Sequence, residues 1–239
     1  MYETKTVMLL QPGYLPWIGF FEQVYRSDIF VIYDNAQYTK GDWRNRNRIK
    51  SPNGSDVFLT IPIEKYPHTI AIKDVRIAND KSWATKHLNK IREYYRKAPF
   101  FNDYFPEIEA IISQKQTFLI DLDIKLTQKL LELLKITTDL RLNSEISQVD
   151  HGKGQLLHVC RELGATNCYN GAAGESLYAP ADFKQHGIEL EFQNFTCLEY
   201  PQIWNGFLPG LSVIDLLFNC GEESRDYIIN GGKIPNCPE

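Results

Sequence analysis

Residues that could hold a small ligand follow the first apolar run of the chain, at residues 11–19. The run at residues 6–10 predicts a buried strand, and ligands of open α/β sheets bind where strands end. Gln11 can donate and accept hydrogen bonds, and the rings of Tyr14 and Trp17 can stack on a sugar or a base. The helix predicted next would add free backbone N–H groups, which suit a phosphate or carboxylate. The alternative is a tight turn with two prolines and packed aromatic rings.

A cationic segment at residues 40–50 follows the second apolar run. It holds five cations and a single acid, Asp42, and its arginines alternate at Arg44, Arg46 and Arg48. In an extended chain alternate side chains share a face, so the guanidinium groups would form a row suited to phosphates or carboxylates. A helical conformation would break that row, and a solvated charged loop is the alternative. One short patch in an acidic chain favours a small anionic ligand over single-stranded RNA.

Further candidates surround this cationic segment. Tyr38, Trp43 and Asn47 would contribute to binding, with Asn47 on the face opposite the arginines. Asp34 stands at the predicted end of the second strand and could be a general base, a metal carboxylate or a cap for the next loop. Together with Gln11, Asp34 and Gln37 would orient a reacting amine, which must be neutral to attack.

Two later segments offer weaker candidates. A short strand predicted at residues 167–170 leads into a small-residue loop, where Gly171 and Gly174 would let the backbone approach a ligand closely. Asp215 is a polar residue in the apolar helix predicted at residues 211–220, so it needs a partner, and an arginine of the row would serve. Capping and packing beneath the sheet are the alternative role for Asp215.

The elements that would position these residues alternate between strand and helix. Apolar runs at residues 6–10 and 28–34 flank a helix predicted at residues 17–26, which makes a βαβ unit with two parallel strands. A polar loop is predicted at residues 35–56 and a further strand at residues 57–63.

Helical spacing predominates from residue 81 to residue 136, and the alternation of strand and helix returns after residue 144. The predicted fold class is therefore α/β, with an open, mostly parallel sheet and a helical insert at about residues 81–136. We expect one domain over residues 1–239, because no linker or repeat divides the chain.

Composition excludes several classes of protein. The chain of 239 residues is 43% hydrophobic and 23% charged, unlike a disordered chain, a collagen or a coiled coil. A net charge of −4 disfavours a general nucleic-acid binder. No run approaches the roughly 20 apolar residues of a membrane span, and no signal peptide is recognisable, so a cytoplasmic location is expected. Five cysteines without a C-x-x-C pair indicate neither a disulfide framework nor a zinc site, and no metal is expected.

The sequence resembles the WbqC-like protein family over nearly its whole length. The resemblance rests on motifs at residues 11–19, 34–40, 43–50 and 211–221: Q-P-x-Y-L-P-W-x-G, D-x-x-Q-Y-T-K, W-R-N-R-N-R-I-K and L-S-V-I-D-L-L-F-N-C-G. The resemblance implies a protein encoded near the genes for O-antigen, lipopolysaccharide and other surface polysaccharides, with a role in the synthesis of these polymers. It also implies transfer of an acyl or aminoacyl unit, such as glycine, to an amino sugar.

The opening strand, proline-rich turn, helix and second strand look like those of nucleotidylyltransferase-like folds, which hold ATP phosphates with a His-x-Gly-His motif. The corresponding residues 14–19 contain no histidine. Our main hypothesis is therefore a transferase acting on a nucleotide-linked amino sugar, with a carrier protein or charged tRNA as donor. The alternatives are an ATP-dependent amide ligase and a non-catalytic protein that binds a sugar nucleotide or a carrier.

Overall fold

The structure, a computed structural model, describes residues 4–79, 82–147 and 152–232. Its centre is a sheet of five parallel strands in the spatial order β5-β2-β1-β6-β7. The open parallel sheet predicted from the sequence is thus confirmed. The strands are β1 (Thr6–Leu10), β2 (Ile29–Ile32), β5 (Asp139–Leu142), β6 (Asn167–Asn170) and β7 (Glu189–Phe192).

The two central strands, β1 and β2, are apolar because helices cover both faces of the sheet. Side chains alternate along a strand, so Met8 and Phe30 enter the larger hydrophobic cluster, while Val7 and Val31 enter the smaller cluster on the other face. A slip of one residue would move each set to the wrong face, so this alternation fixes the register of the sheet.

Helices pack into both clusters. α1 (Ile18–Tyr25) and α8 (Val213–Cys220) join the larger cluster, whereas α6 (Gln155–Glu162) and α7 (Pro180–Lys184) join the smaller one. The helical stretch predicted at residues 81–136 contains α2, α3 and α4, and Lys81 itself lies outside the described residues. Within the described ranges no helix is long and apolar enough to cross a bilayer. The remaining helices are α2 (Trp83–Tyr95), α3 (Phe101–Ile112), α4 (Leu119–Leu133), α5 (Asn143–Ile146) and α9 (Ser224–Gly231).

The chain changes its direction across the sheet next to β1. From β1 it runs to β2 and β5 on one side, and it then crosses to β6 and β7 on the other side. The loops that leave the carboxyl ends of the strands diverge at such a switch point, and the crevice between them is where open α/β sheets bind ligands. The loops after β1 and β6 are therefore the expected walls of a binding site.

A two-stranded hairpin stands apart from the large sheet. It consists of β3 (Arg46–Lys50) and β4 (Asp56–Thr60), paired antiparallel with Arg48 opposite Phe58. The prediction of a polar loop at residues 35–56 is wrong over β3. Three of the five residues of β3 are cationic, so the sequence there lacks the apolar pattern of a strand. Ile49 and Leu59 pack into the larger cluster, so burial of the inner face sets the strand despite the charges on its outer face.

A buried lysine ties the hairpin to the loop that precedes α8. Lys50 is only 1% exposed, and its ammonium group has three acceptors on that loop. The Nζ atom donates to Gln202 Oε1 at 2.8 Å, to the Trp204 carbonyl at 2.7 Å and to the Gly206 carbonyl. An ammonium group has three N–H bonds, so this set satisfies it fully.

Asp215 lies at the centre of the same network. Its carboxylate accepts from Tyr95 Oη at 2.6 Å, from Tyr200 Oη at 2.7 Å and from Gln202 Nε2 at 2.9 Å. The expectation that an arginine would partner Asp215 is therefore wrong: two buried tyrosines and an amide satisfy it instead. Gln202 connects Lys50 with Asp215, because its oxygen accepts from Lys50 while its nitrogen donates to Asp215.

We predict that Lys50→Met lowers the free energy of unfolding by about 3–5 kcal/mol, because it leaves buried acceptors without a donor and a buried carboxylate without its nearby cation. Urea unfolding followed by circular dichroism measures this loss. Lys97→Met, at an exposed position after α2, should change stability by less than about 0.5 kcal/mol. Equal stability of the two variants would contradict a structural role for the network.

Candidate functional site

A cleft opens where β1 and β6 end, at the switch point of the sheet, and we call it the switch-point cleft. It has two adjoining parts of about 400 and 340 Å³, which share Trp17, Trp43 and Asn47. Sites for small molecules commonly have volumes of about 300–1,000 Å³, so the cleft can take a ligand of that size. Its other lining residues are Leu10, Gln11, Pro12, Gly13, Pro16, Phe20, Gln23, Arg44, Arg48, Gly171, Ala172, Ala173, Gln193, Phe195 and Gly210.

Two tryptophans supply partly exposed aromatic rings, and Trp43 also stacks on Phe58 at 6.1 Å between ring centroids. Trp17 is 37% exposed and Trp43 is 45% exposed, although rings of this size are usually well buried. The edge of Trp17 meets Phe195 at 5.6 Å between ring centroids, and a Cβ on Gly19 would overlap the Trp17 ring. Glycine at position 19 therefore lets the indole fold back over α1. These ring faces are suited to stacking on a base or a sugar.

Three amide side chains supply the polar groups beside the rings. Gln193 Nε2 donates to the Gly19 carbonyl at 2.7 Å and to Glu22 Oε2 at 2.6 Å, which fixes the amide and leaves its oxygen as a further acceptor. The Gln23 oxygen is buried and has no partner within the described residues. No hydrogen bond to the Gln11 side chain occurs among the described residues. The three amides can thus recognise hydroxyl, amine or amide groups of a ligand.

Arg44 supplies one cation of the cleft. Its Nη1 donates to the Pro12 carbonyl at 3.1 Å, and its Nη2 donates to Asp42 Oδ2 at 3.1 Å. The Nε atom is buried without a partner in the described part of the chain. The first bond ties the cationic segment to the loop after β1, so Arg44 is held beside the carboxyl end of the central strand.

Arg48 supplies the second cation. It donates to Asp56 Oδ2 and to the Gly210 carbonyl, each at 3.1 Å, and its guanidinium carbon lies 5.7 Å from the centroid of Trp43. Among the described residues that line the cleft, no side chain is acidic, and the two arginines are the charged ones. The charged side chains of the lining are therefore cationic, which suits an anionic ligand that replaces Asp42 and Asp56 as the partner of the guanidinium groups.

Asp34 and Gln37 do not line the cleft. Asp34 is buried, and it accepts from the Ser144 backbone N–H at 2.9 Å and from Ser144 Oγ at 2.6 Å at the start of α5. Asp34 therefore caps the start of α5, whereas the sequence suggests a cap for the loop that follows β2. Gln37 donates to the His68 carbonyl at 3.0 Å, in a segment away from the switch point.

Arg46, Tyr38 and Gly174 also lie elsewhere. Arg46 shares the outer hairpin face with Arg48, as the alternation predicts, but it lies over Phe58 at 4.6 Å and lines a separate cavity together with Tyr38. Gly174 is buried one turn beyond Gly171, where a Cβ would crowd the Asn170 side chain. Of the predicted site residues, the cleft brings together Gln11, Trp17, Trp43, Arg44, Asn47, Arg48 and Gly171.

Tyr14 lies in the core beneath the cleft, with no exposed surface. Its hydroxyl is 3.0 Å from His87 Nδ1, and burial lowers the pKa of His87 to about 4. Asp123 of α4 is also fully buried, and within the described residues neither carboxyl oxygen has a hydrogen-bond partner. Burial raises the pKa of Asp123 well above its ordinary value, because it disfavours the charged carboxylate relative to the neutral acid.

The cleft also includes residues that were not predicted as site residues, among them Gln23, Gln193, Phe195 and Gly210. The signal for Gln193 was present, because it directly follows the alternating apolar residues at 188–192, as Gln11 follows the first apolar run. Gln23 could have been noticed as an amide within the apolar face of a predicted helix. Phe195 and Gly210 lie in irregular segments, whose path the sequence pattern does not determine.

Comparison with known proteins identifies relatives by sequence. A sequence model of the WbqC-like protein family matches residues 11–227. A relative named "Uncharacterized protein Rv1507c", from Mycobacterium tuberculosis (strain ATCC 25618 / H37Rv), is 32% identical over 227 residues, which are 94% of this chain and 97% of the relative. No solved structure matches the chain.

We predict that Asp34→Asn destabilises the protein. The two carboxylate oxygens of Asp34 accept from the backbone N–H and the hydroxyl of Ser144, whereas an asparagine side chain has a single acceptor oxygen. The expected loss is about 1–2 kcal/mol in the free energy of unfolding, measured with urea. Asp139→Asn is the matched control, since Asp139 is a half-exposed partner of Arg141 and should change stability by less than about 0.5 kcal/mol. An unchanged stability of Asp34→Asn would contradict the capping role.

We predict that Asp123→Asn gains stability over the native protein as pH rises. The pKa of Asp123 is higher in the folded than in the unfolded chain, so between those values the unfolded chain binds fewer protons and folding weakens with pH. The variant lacks this loss, and its advantage should grow from about pH 4 upward by at most about 1.4 kcal/mol per pH unit. Urea unfolding at pH 5, 6 and 7 measures it. Asp121→Asn, exposed on the same helix, is the control, and a difference constant with pH would contradict the prediction.

Proposed function

The chain belongs to the WbqC-like protein family, and from this membership and the geometry of the cleft we propose that it is a transferase. The reaction moves a small acyl or aminoacyl unit, such as glycine, to the amine of a nucleotide-linked amino sugar. The family resemblance implies that this reaction serves the biosynthesis of surface polysaccharides, including the O-antigen of lipopolysaccharide.

One observation carries the proposal: two partly exposed indole rings lie beside two guanidinium groups in one cleft at the switch point. An indole face binds a base by stacking, and a guanidinium fork binds phosphate oxygens with two hydrogen bonds. A nucleotide-linked sugar has both groups within one molecule. We assign its base to Trp17 and Trp43, and its diphosphate to Arg44 and Arg48.

The sugar would lie against the amide side chains. The Gln193 oxygen can accept from a sugar hydroxyl or amine, because its amide nitrogen is already fixed by Glu22 and Gly19. Among the described residues the Gln23 oxygen has no partner and the Gln11 amide has no hydrogen bond, so these two side chains add two more groups of this kind. A group held by several such contacts loses rotational freedom before reaction, which is how positioning accelerates a transfer.

The amine must lose a proton to become a nucleophile. The ammonium form gives this proton to solvent before the reaction. The neutral nitrogen attacks the carbonyl carbon of a thioester or ester on a carrier protein or charged tRNA. The nitrogen–carbon bond forms, the carbon–sulfur or carbon–oxygen bond breaks, and the leaving thiol or alcohol takes the amine proton. Asp34 is not needed as a base in this scheme, so an Asp34→Asn variant that still folds should retain turnover.

A specific observation favours a non-catalytic alternative. Among the described residues that line the cleft, the arginines are the sole ionisable side chains, so no general acid or base lies there. A protein that binds a sugar nucleotide and presents it to another enzyme would need no such group. An ATP-dependent ligase is the further alternative, since the sheet order is of the doubly wound kind that often binds nucleotides.

We predict that UDP- or TDP-linked amino sugars bind the native protein and that Arg48→Gln weakens this binding at least tenfold, because a charge-assisted contact to phosphate is lost. Isothermal titration calorimetry measures the change. Arg141→Gln is the matched control, since Arg141 belongs to the edge strand β5 and pairs with Asp139. Equal affinities of Arg48→Gln and the control would contradict the assignment of the diphosphate.

Mass spectrometry of the bound sugar separates the candidate reactions. Addition of an acyl mass from a carrier thioester or a charged tRNA, without ATP, supports the transferase. Addition that requires ATP and releases AMP or ADP supports the ligase. Tight binding with no added mass from any donor supports the presenting protein.

A further inference from the structure

A second cavity lies at the open end of the hairpin, where Arg46 is paired with Thr60. It has a volume of about 760 Å³ and shares no lining residue with the switch-point cleft. We call it the hairpin cavity. Its lining residues are Tyr38, Lys40, Gly41, Asn45, Arg46, Thr60, Ile61, Pro62, Ile63, Glu64, Lys65, Tyr66 and His68.

Buried polar atoms without partners gather at this cavity. Tyr38 is 3% exposed, and its hydroxyl has no hydrogen bond within the described residues. Asn45 is 7% exposed, and its amide nitrogen donates to the Ile61 carbonyl at 2.7 Å while its oxygen has no partner there. The Nε atom of Arg46 is also buried and unpartnered among these residues. Each such atom costs about 1–3 kcal/mol, so their grouping indicates a bound molecule that satisfies them.

The charges around the cavity select an anion. Lys40, Arg46 and Lys65 line it, and the acidic residue among the described lining side chains, Glu64, forms an ion pair with Arg76 at 3.3 Å. The cationic groups therefore outnumber the free carboxylates. The hydroxyl of Tyr38 stays protonated, since burial raises its pKa to about 12, and it can donate to an anionic oxygen.

The rest of the wall is apolar. Ile61, Pro62 and Ile63 follow β4 along the cavity, and Tyr66 meets Tyr38 edge-on at 5.3 Å between ring centroids. A purely inorganic anion would leave this surface uncovered. The Asn45 oxygen in addition requires a donor, such as the amide N–H of a ligand.

We propose that the hairpin cavity binds an organic phosphate that has an apolar, amide-containing body, separately from the ligand of the switch-point cleft. The phosphate meets Lys40, Arg46 and Lys65, the body lies along residues 61–63, and an amide N–H meets Asn45. The phosphopantetheine arm has this chemistry, whether in free coenzyme A or attached to a carrier protein. This assignment does not depend on the function proposed for the cleft.

Calorimetric titration with 4′-phosphopantetheine, which lacks the base and diphosphate proposed to bind the cleft, tests the proposal on the full chain. 4′-Phosphopantetheine or a carrier protein with its phosphopantetheine arm should bind, whereas pantetheine without phosphate should bind at least tenfold more weakly. Binding of the carrier alone identifies the protein-bound source, and binding of 4′-phosphopantetheine identifies the free one. The double variant Lys40→Ala/Lys65→Ala should weaken binding at least tenfold, while Lys73→Ala, an exposed lysine outside the cavity, should not.

Tyr38→Phe distinguishes a binding role from a structural one. Removal of an unpartnered buried hydroxyl should leave the melting temperature unchanged or raise it, yet weaken the binding of 4′-phosphopantetheine or the carrier. A lower melting temperature with unchanged affinity would overturn the proposal, and so would the failure of every phosphopantetheine probe to bind. Arg48→Gln should leave the affinity for 4′-phosphopantetheine unchanged, and a loss of affinity in that variant would place the ligand in the cleft instead. The two proposals can therefore fail independently.

Discussion

The candidate site depends on a buried ammonium group. Lys50 joins the inner face of the hairpin to the loop at residues 202–206, and Gln202 extends the network to Asp215 of α8. This network holds the hairpin against the body of the protein, so that Arg48 reaches the Gly210 carbonyl and Trp43 overhangs the switch point. The hairpin belongs to a separate sheet, and the large sheet alone would leave the cleft without this wall.

A second set of hydrogen bonds fixes the residues beneath the cleft. Glu22 is buried in α1, where Arg26, Tyr169 of β6 and Gln193 beyond β7 all donate to it. One carboxylate therefore connects the helix after β1 with the two strands on the other side of the switch point. It also fixes the amide of Gln193, so a group that would contact the ligand is held before the ligand arrives.

The sequence predicts the strands that position the site, but it does not predict which side chains line the cleft. The apolar runs of β1 and β2 and the position of Gln11 at a strand end follow from local pattern, and so does the alternation of Arg46 and Arg48. The pattern could not show that Tyr14 turns inward to His87, because this depends on a helix about 70 residues away. Nor could the pattern show that Arg46 and Arg48 line different cavities, since two side chains on one face of a strand can extend toward opposite ends of that strand. β5 was missed because it is a short edge strand with alternating charges.

We infer that the switch-point cleft holds a nucleotide-linked sugar between its tryptophans and arginines. The decisive experiment is a crystal structure of the native protein with a UDP-linked amino sugar. We expect a base stacked on Trp17 or Trp43, a diphosphate within hydrogen-bond distance of Arg44 and Arg48, and the sugar amine beside Gln193. A ligand bound in the hairpin cavity, or a ligand in the cleft whose diphosphate does not contact the arginines, would refute this inference.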